Sequence, residues 1–383
     1  MIPYGRQDVT DSDVRSVVEV LRSDFLTQGP IVPRFEEAVA KLVNARHAVA
    51  MNSATSSLHV ACAALGLGVG DRLWTVANTF VASANCGLHC GAKVDFVDID
   101  AATWNISVER LKDKLQVAKR EDKLPKVVVA VHFAGQPTEQ QAICELSREY
   151  GFDIIEDASH SIGAARDGEP VGSCRWSRVT VFSFHPVKII TSAEGGMALT
   201  NDATVAERMR LLRSHGITRD SRRFEITDPP PWHYEQHALG FNYRMTDIHA
   251  ALGLSQLERV GEYVSARNSL ANRYQTALKG LPLQLPRVAA NNLSAFHLYV
   301  VRLAPGVESR HRIVFESLRA RGIGVNLHYA PVHLQPYYRN LGFRPGSLPE
   351  SEAHARTAIT LPLYPALSID DQDRVIEALR EAL

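Results

Sequence analysis

The sequence predicts an α/β fold: a doubly wound, mostly parallel sheet between helices, followed by a smaller α+β unit. Three observations point to it. From about residue 48, short apolar runs alternate with longer helical patterns, which is the layering of α/β proteins. Near Thr246 the regime changes, and the stretch to Leu278 keeps a helical pattern with no internal proline. At 383 residues the chain also exceeds the roughly 250 to 300 that one hydrophobic core supports. The expected division is a large domain over 1–250, then a linking helix and small C-terminal domain over 251–383.

Seven apolar segments read as the strands of the large sheet: VAMNS, RLWTVAN, KVDFVDID, KVVVAVHF, FDIIEDAS, VTVFSF and GMALTND. Several are apolar almost without interruption, as strands covered on both faces must be. Amphipathic patterns between them place helices over Ser56 to Leu65, Ser83 to Cys90 and Glu139 to Tyr150. Ligands of such sheets gather beyond the carboxyl ends of the strands. The proline run Pro229 to Pro231, preceded by the charged DSRRFE, reads as a mobile surface loop. Thr246 to Leu278 reads as one long or broken helix. Beyond it, HLYVVRL, a helix from Ser309 to Arg321 and GIGVNLHY build the small unit, closed by a helix from Asp370 to Leu383.

Composition narrows the partners. Lys plus Arg equals Asp plus Glu at 42 each, so bulk charge gives no reason to expect nucleic acid or an acidic membrane surface. No apolar run reaches the 18 or so residues of a membrane helix, and MIPYGRQDVT lacks a signal-like segment, which predicts a cytoplasmic protein binding small molecules. Five cysteines without a C-x-x-C pair predict reduced thiols. His328 and His333, five apart in a proline-broken segment, lack the geometry of a metal site, and none is expected. Gly66, Gly68 and Gly70 follow a helix and precede a strand, the reverse of the polarity a dinucleotide fingerprint needs.

The chemistry concentrates on Lys188. Beyond Lys126 it and Lys279 are the only lysines, and it stands amid apolar neighbours just after VTVFSF. A desolvated amine can lose its proton near neutral pH and form a Schiff base, which a guanidinium cannot. A lysine at a strand end reaching for water is the structural alternative. Asn52 to Ser57 lies between a strand and a helix, where small hydroxylated residues suit a phosphate or serve as an ordinary N-cap. Asp157 ends an apolar strand, with His160 three residues on; its carboxylate could pair with a ring nitrogen or cap the next turn. Phe80 could cover a flat heterocycle or pack in the core. Ser183, five residues before Lys188, offers a second phosphate hydroxyl. Phosphate cup, aromatic lid, acid and lysine follow in the order of a pyridoxal phosphate site.

The segments SFHPVKIITSAEGGMALTND, NSATSSLH, IEDASHSIG, RSHGI, GFNYRMTDIHAALGLSQL and DFLTQGP resemble the DegT-like nucleotide-sugar aminotransferases of pyridoxal-phosphate fold type I, in matching order along the whole chain. SFHPVK, LTQGP, FNYRM and HYAPVH are most similar to members that aminate C4 of a UDP-linked 4-keto-6-deoxy-N-acetyl-hexosamine on the route to pseudaminic acid. The resemblance implies that Lys188 carries pyridoxal 5'-phosphate as its internal aldimine, that Asp157 binds the ring nitrogen and that Phe80 covers the ring. It implies that Ala54, Thr55 and Ser183 hold the phosphate and that His160 lies near the ring hydroxyl. Asn242 matches an asparagine that reaches the neighbouring subunit's site, so a homodimer with shared active sites is implied. For the nucleotide sugar it points to Tyr4, to Asp24, Phe25, Leu26 and Thr27, and to Leu327, His328, Tyr329 and Ala330. Glutamate is the implied amino donor, in a ping-pong reaction. Related readings remain: another sugar series, amination at C3, a dehydratase or epimerase with the same cofactor, or a non-enzymatic binder. Dehydratases of this family carry histidine where Lys188 stands, so the lysine favours transamination.

Overall fold

A computed structural model describes residues 1–383. All seven expected strands form one sheet: β1 (His47–Met51), β2 (Arg72–Val76), β3 (Lys93–Val97), β4 (Val127–Val131), β5 (Asp153–Asp157), β6 (Val179–Ser183) and β7 (Gly196–Thr200). Their order is β1-β7-β6-β5-β4-β2-β3. The run from β6 to β3 is parallel, while β7 is antiparallel to both its neighbours, β6 and β1. This reversal matters for the site. Gly196, the first residue of β7, pairs with Met51 at the end of β1 and with Ser183 at the end of β6. The segments leaving β1, β5 and β6 therefore emerge along one edge.

Helices α1 (Asp11–Leu21) and α2 (Ile31–Val43) precede the sheet. The three expected crossover helices are α3 (Ala54–Ala64), α4 (Ala82–His89) and α6 (Gln140–Tyr150), each within two residues of its predicted bounds. Helix α3 starts two residues early because Ser53, in extended conformation, caps it by accepting the Ser56 N–H at 3.1 Å. Helices α5 (Val108–Arg120) and α7 (Ala203–Arg213) complete this part. Pro229 to Pro231 lies within the connection between two short paired strands, Ile217–Thr218 and Glu235–Gln236, next to Trp232, which is 80% exposed.

The long helical stretch is broken into α8 (Asp247–Leu257) and α9 (Val260–Ala277). No proline breaks it; a buried carboxylate stands at the junction. Asp13 of α1 accepts from Ser255 Oγ at 2.6 Å, Gln256 Nε2 at 2.7 Å and Arg259 at 2.7 and 2.8 Å. Burial opposes its ionisation, but these donors hold the carboxyl down at about 2.

A second core surrounds a three-stranded antiparallel sheet of β8 (Leu283–Gln284), β9 (Tyr299–Leu303) and β10 (Ala358–Leu361), with α10 (His311–Ala320) and α13 (Ile369–Ala382) upon it. GIGVNLHY belongs to this unit but forms no strand of its own. That segment is bound to the N-terminus, with Ile2 N–H donating to Gly322 O at 2.8 Å and Gly324 N–H to Ile2 O at 2.6 Å, and meets β10 in a single bridge, Asn326 to Thr360. Between α10 and β10 lie α11 (Pro336–Asn340) and α12 (Pro349–Thr357). No helix is long and apolar enough to cross a membrane, and the five cysteines are unpaired.

Candidate active site

A cavity of about 850 Å³ opens at the edge where β1, β5 and β6 end. Lys188 and Asp157 both line it. Asp157 is the last residue of β5 and is buried. One of its oxygens accepts from Ser83 Oγ at 2.6 Å, and the other from the Ser159 hydroxyl at 2.6 Å and N–H at 3.2 Å. Ser83 is itself 2.8 Å from Thr79 Oγ1, so the carboxylate cannot swing freely. Lys188 sits in the turn after β6, its N–H bonded to His185 O at 2.9 Å. Burial strips water from its ammonium and draws the pKa from 10.5 to about 8, against the attraction of Asp157. The amine is therefore partly free near neutral pH.

The second feature is a cradle at the start of α3. Asn52, Ser53, Ala54, Thr55 and Ser56 all line the cavity. Ser56 Oγ donates to Asn52 Oδ1 at 2.6 Å and lies 3.0 Å from Ser53 Oγ, which fixes the turn. The opening N–H groups of a helix have no acceptor within it, and the helix dipole makes this end positive. Gly196 admits the close approach of β7: a Cβ there would collide with the backbone of Ser53 and Ala54. Ser183, the strand partner of Gly196, adds a buried hydroxyl on the same side. A small anion such as a phosphate fits this arrangement. Phe80 lies at the rim and is 59% exposed, so it is not a core residue.

A third group is aromatic. His160 Nδ1 accepts the Ala134 N–H at 3.2 Å, and Nε2 lies 3.1 Å from Tyr329 Oη. With Nδ1 accepting, the neutral ring carries its proton on Nε2 and donates to the tyrosine, which leaves the Tyr329 hydroxyl proton for another acceptor. Both ring nitrogens of His160 are thus engaged by the protein. Burial, then the nearby Lys188 and His328, push the His160 pKa well below its ordinary value. Tyr4, Leu327 and His328 line the same wall, with the His328 ring 2.8 Å from Thr360 Oγ1 through Nδ1.

The remaining expected residues lie elsewhere. Asn242 is exposed and bridges to Ser214, outside the cavity of its own chain. Asp24, Phe25, Leu26 and Thr27 are exposed too; this loop is tied to the start of α8, where Asp247 N–H donates to Leu26 O at 3.0 Å. Ala330 is exposed beyond the wall. Conversely, the cavity includes His249, His297 and Asn326, which the sequence did not single out. Asn326 adjoins the expected Leu327 and could have been found by extension. His297 lies two residues before β9 and carries no local cue.

The pattern of the DegT/DnrJ/EryC1/StrS aminotransferase family matches residues 7–380. The spore coat polysaccharide biosynthesis protein SpsC of Bacillus subtilis is 36% identical over 99% of this chain and 96% of its own. Among solved structures, Helicobacter pylori PseC, an aminotransferase involved in pseudaminic acid biosynthesis, superposes with a TM-score of 0.91 at 29% identity, over 100% of this chain and 98% of that one. A sugar aminotransferase of Streptococcus pneumoniae, Spr1654, solved in a pyridoxamine phosphate form, gives 0.90 at 28% identity, over 100% and 99% of the two chains; its pyridoxal phosphate form gives 0.89 at 29% identity, with the same coverage.

Proposed function

The chain belongs to the DegT/DnrJ/EryC1/StrS aminotransferase family, whose cofactor is pyridoxal 5'-phosphate, and from that premise we propose that it moves the amino group of glutamate to C4 of a UDP-linked 4-keto-6-deoxy-N-acetyl-hexosamine, a step towards pseudaminic acid. The observation that carries the reading is the desolvated amine of Lys188, with a pKa near 8, in one cavity with the anchored carboxylate of Asp157. When bound, the cofactor supplies an aldehyde that bonds amines reversibly and a ring that accepts an electron pair. Ala54, Thr55 and Ser183 would hold its phosphate, and Phe80 would cover the ring. Asp157 would hold a proton at the ring nitrogen. Lys188, once its amine is free, would take the proton from the donor's α-carbon and hold it as an ammonium for return on the far side of the donor's nitrogen. In the second half-reaction it would act in reverse, giving a proton to the sugar carbon that has taken the nitrogen. His160 acts by orienting Tyr329, which with Tyr4, Leu327 and His328 meets the sugar nucleotide.

The exposed Asn242 and the loop Asp24 to Thr27 support a homodimer in which each copy completes the other's cavity, since neither reaches the cavity of its own chain. The test is spectroscopic and chemical. The purified protein should be yellow and lose its visible band on addition of glutamate. It should then aminate one of the two epimeric UDP-linked 4-keto sugars at C4. Borohydride reduction should fix a pyridoxyl group on Lys188. A band unmoved by amino donors would point to dehydration instead, and nitrogen found at C3 would overturn the regiochemistry.

A further inference from the structure

The part of the cavity lining that this chain supplies contains no arginine, and its one lysine is the reacting amine. An amino-acid donor nevertheless brings a carboxylate one bond from the carbon that holds its nitrogen. That carboxylate must lie close to Lys188 and needs donors. His297 is placed to be one. It is 5% exposed, lines the cavity and packs against His160 with ring centroids 4.4 Å apart.

Its position is built by the fold. The turn after β4 has Gly135 at φ 100°, and a Cβ there would lie 2.8 Å from Phe296 N, 2.9 Å from His297 N and 3.0 Å from His160 O. Glycine lets the segment entering β9 dock on this turn, with Ala295 N–H donating to Gly135 O at 3.0 Å. From the other side Arg267, fully buried, donates to the carbonyls of Phe296, His297 and Leu363 at 3.3, 3.2 and 2.9 Å. No carboxylate pairs with it, so this guanidinium serves to hold backbone.

The His297 side chain, by contrast, has no hydrogen bond within the chain. Nδ1 is buried without a partner. A proton on Nδ1 would strand a buried donor, so the neutral ring carries it on Nε2. Nε2 is the edge left to the cavity. Burial, followed by Lys188 and His160, keeps the ring neutral.

We propose that His297 is a substrate-contacting residue whose Nε2–H binds the α-carboxylate of the amino donor. A neutral donor suits a cavity that works in two halves. After the 2-oxo acid leaves, the same space receives an uncharged sugar ring, beside which a buried guanidinium would be stranded without its counter-ion. An imidazole N–H serves a carboxylate oxygen in one half-reaction and tolerates a hydroxyl in the other.

The inference rests on the transaminase reading, and the experiment separates the two. The probe is 2-methylglutamate, which lacks the α-proton and cannot turn over, titrated into the holoenzyme through the cofactor's absorbance. His297→Phe should raise its dissociation constant roughly ten- to hundredfold, as expected for one hydrogen bond to a charged group. His297→Gln, which keeps an N–H near Nε2, should recover part of the loss. The rate of the sugar half-reaction, started from the pyridoxamine phosphate form, should change severalfold less. Melting temperature and cofactor content report whether each variant folds. If the wild type binds the analogue and folded His297→Phe and His297→Gln both bind it equally well, the assignment of His297 is overturned. If the wild type itself ignores both glutamate and the analogue, the donor assignment fails first, and this inference falls with it.

Discussion

The two walls of the cavity are built on different principles. One wall consists of strand ends, a helix start and the short turn after β6 that carries Lys188: Asp157 terminates β5, Ser183 terminates β6, and only Asn52 and Ser53 separate β1 from α3. The other is made of loop, Asn326 to Tyr329, and of His297 at the entrance to the smaller sheet. The groups assigned to the cofactor stand on strand ends, a helix start or the turn directly after a strand; groups that meet a variable substrate stand on longer connections between elements. Substitutions on the first wall should therefore abolish chemistry, and substitutions on the second should reshape binding.

The contrast is broken most directly at Lys188. Lys188→Ala should lower turnover by roughly 10⁴-fold or more while the melting temperature stays within a few degrees, because the variant removes a poorly solvated charge and no hydrogen bond of the side chain. Activity within tenfold of wild type would end the reading of this wall as catalytic. Asp157→Asn comes next. It keeps the shape, but its single oxygen can accept from only one of Ser83 and Ser159, its NH2 facing the other, and it can no longer stabilise a protonated ring nitrogen. Turnover should fall by about 10²-fold, with a displaced cofactor absorbance. A change in KM alone would put Asp157 with the opposite wall.

Legibility in the sequence divided along the same line. The strand-end wall could be read because each member is local: a run of apolar residues ends and a functional residue follows, as in FDIIEDAS or VTVFSF. All seven strands were legible for the same reason. The opposite wall depends on packing between distant segments. His297 reaches the cavity only because Gly135, over a hundred residues earlier, tolerates φ 100°. Asp13 lies at the break between α8 and α9 from the far end of the chain. GIGVNLHY has strand composition yet bridges to Ala358–Leu361 only at Asn326 and is otherwise held by Ile2. No periodicity within a segment records such choices. The role expected for His160 shows the intermediate case: its position was legible, but the partners of its two nitrogens were not.

A pH measurement sharpens the comparison at a smaller scale. The folded pKa of Lys188 is lowered from 10.5 to about 8, so its free-amine fraction should rise about tenfold between pH 7 and 9 and then level off. Capture of cofactor by the apoprotein, or modification of Lys188 read by peptide mapping, should follow that curve. An ordinary lysine would continue to gain up to 10.5. Linkage supplies a second readout. Between about 8 and 10.5 the unfolded chain holds a proton at this position that the folded chain has lost, so the contribution of Lys188 to stability increases with pH across that window. Wild-type stability minus that of Lys188→Met should climb there and be flat below it.

The smallest effect belongs to Tyr329, and it tests whether the second wall is organised or merely permissive. Tyr329→Phe removes the acceptor for His160 Nε2–H, 3.1 Å away, without opening a cavity. A buried N–H left without a partner costs about 1–3 kcal/mol, less where the imidazole can shift. Apoprotein stability should drop by about 1 kcal/mol, and KM for the sugar should increase severalfold while the glutamate half-reaction is nearly preserved. A double-mutant cycle with His160→Phe completes the test. Replacing both polar partners should cost less than the sum of the single changes, because neither then leaves the other stranded. Strict additivity would mean that the two rings are neighbours without a working hydrogen bond, and the aromatic wall would then be shaped by packing alone.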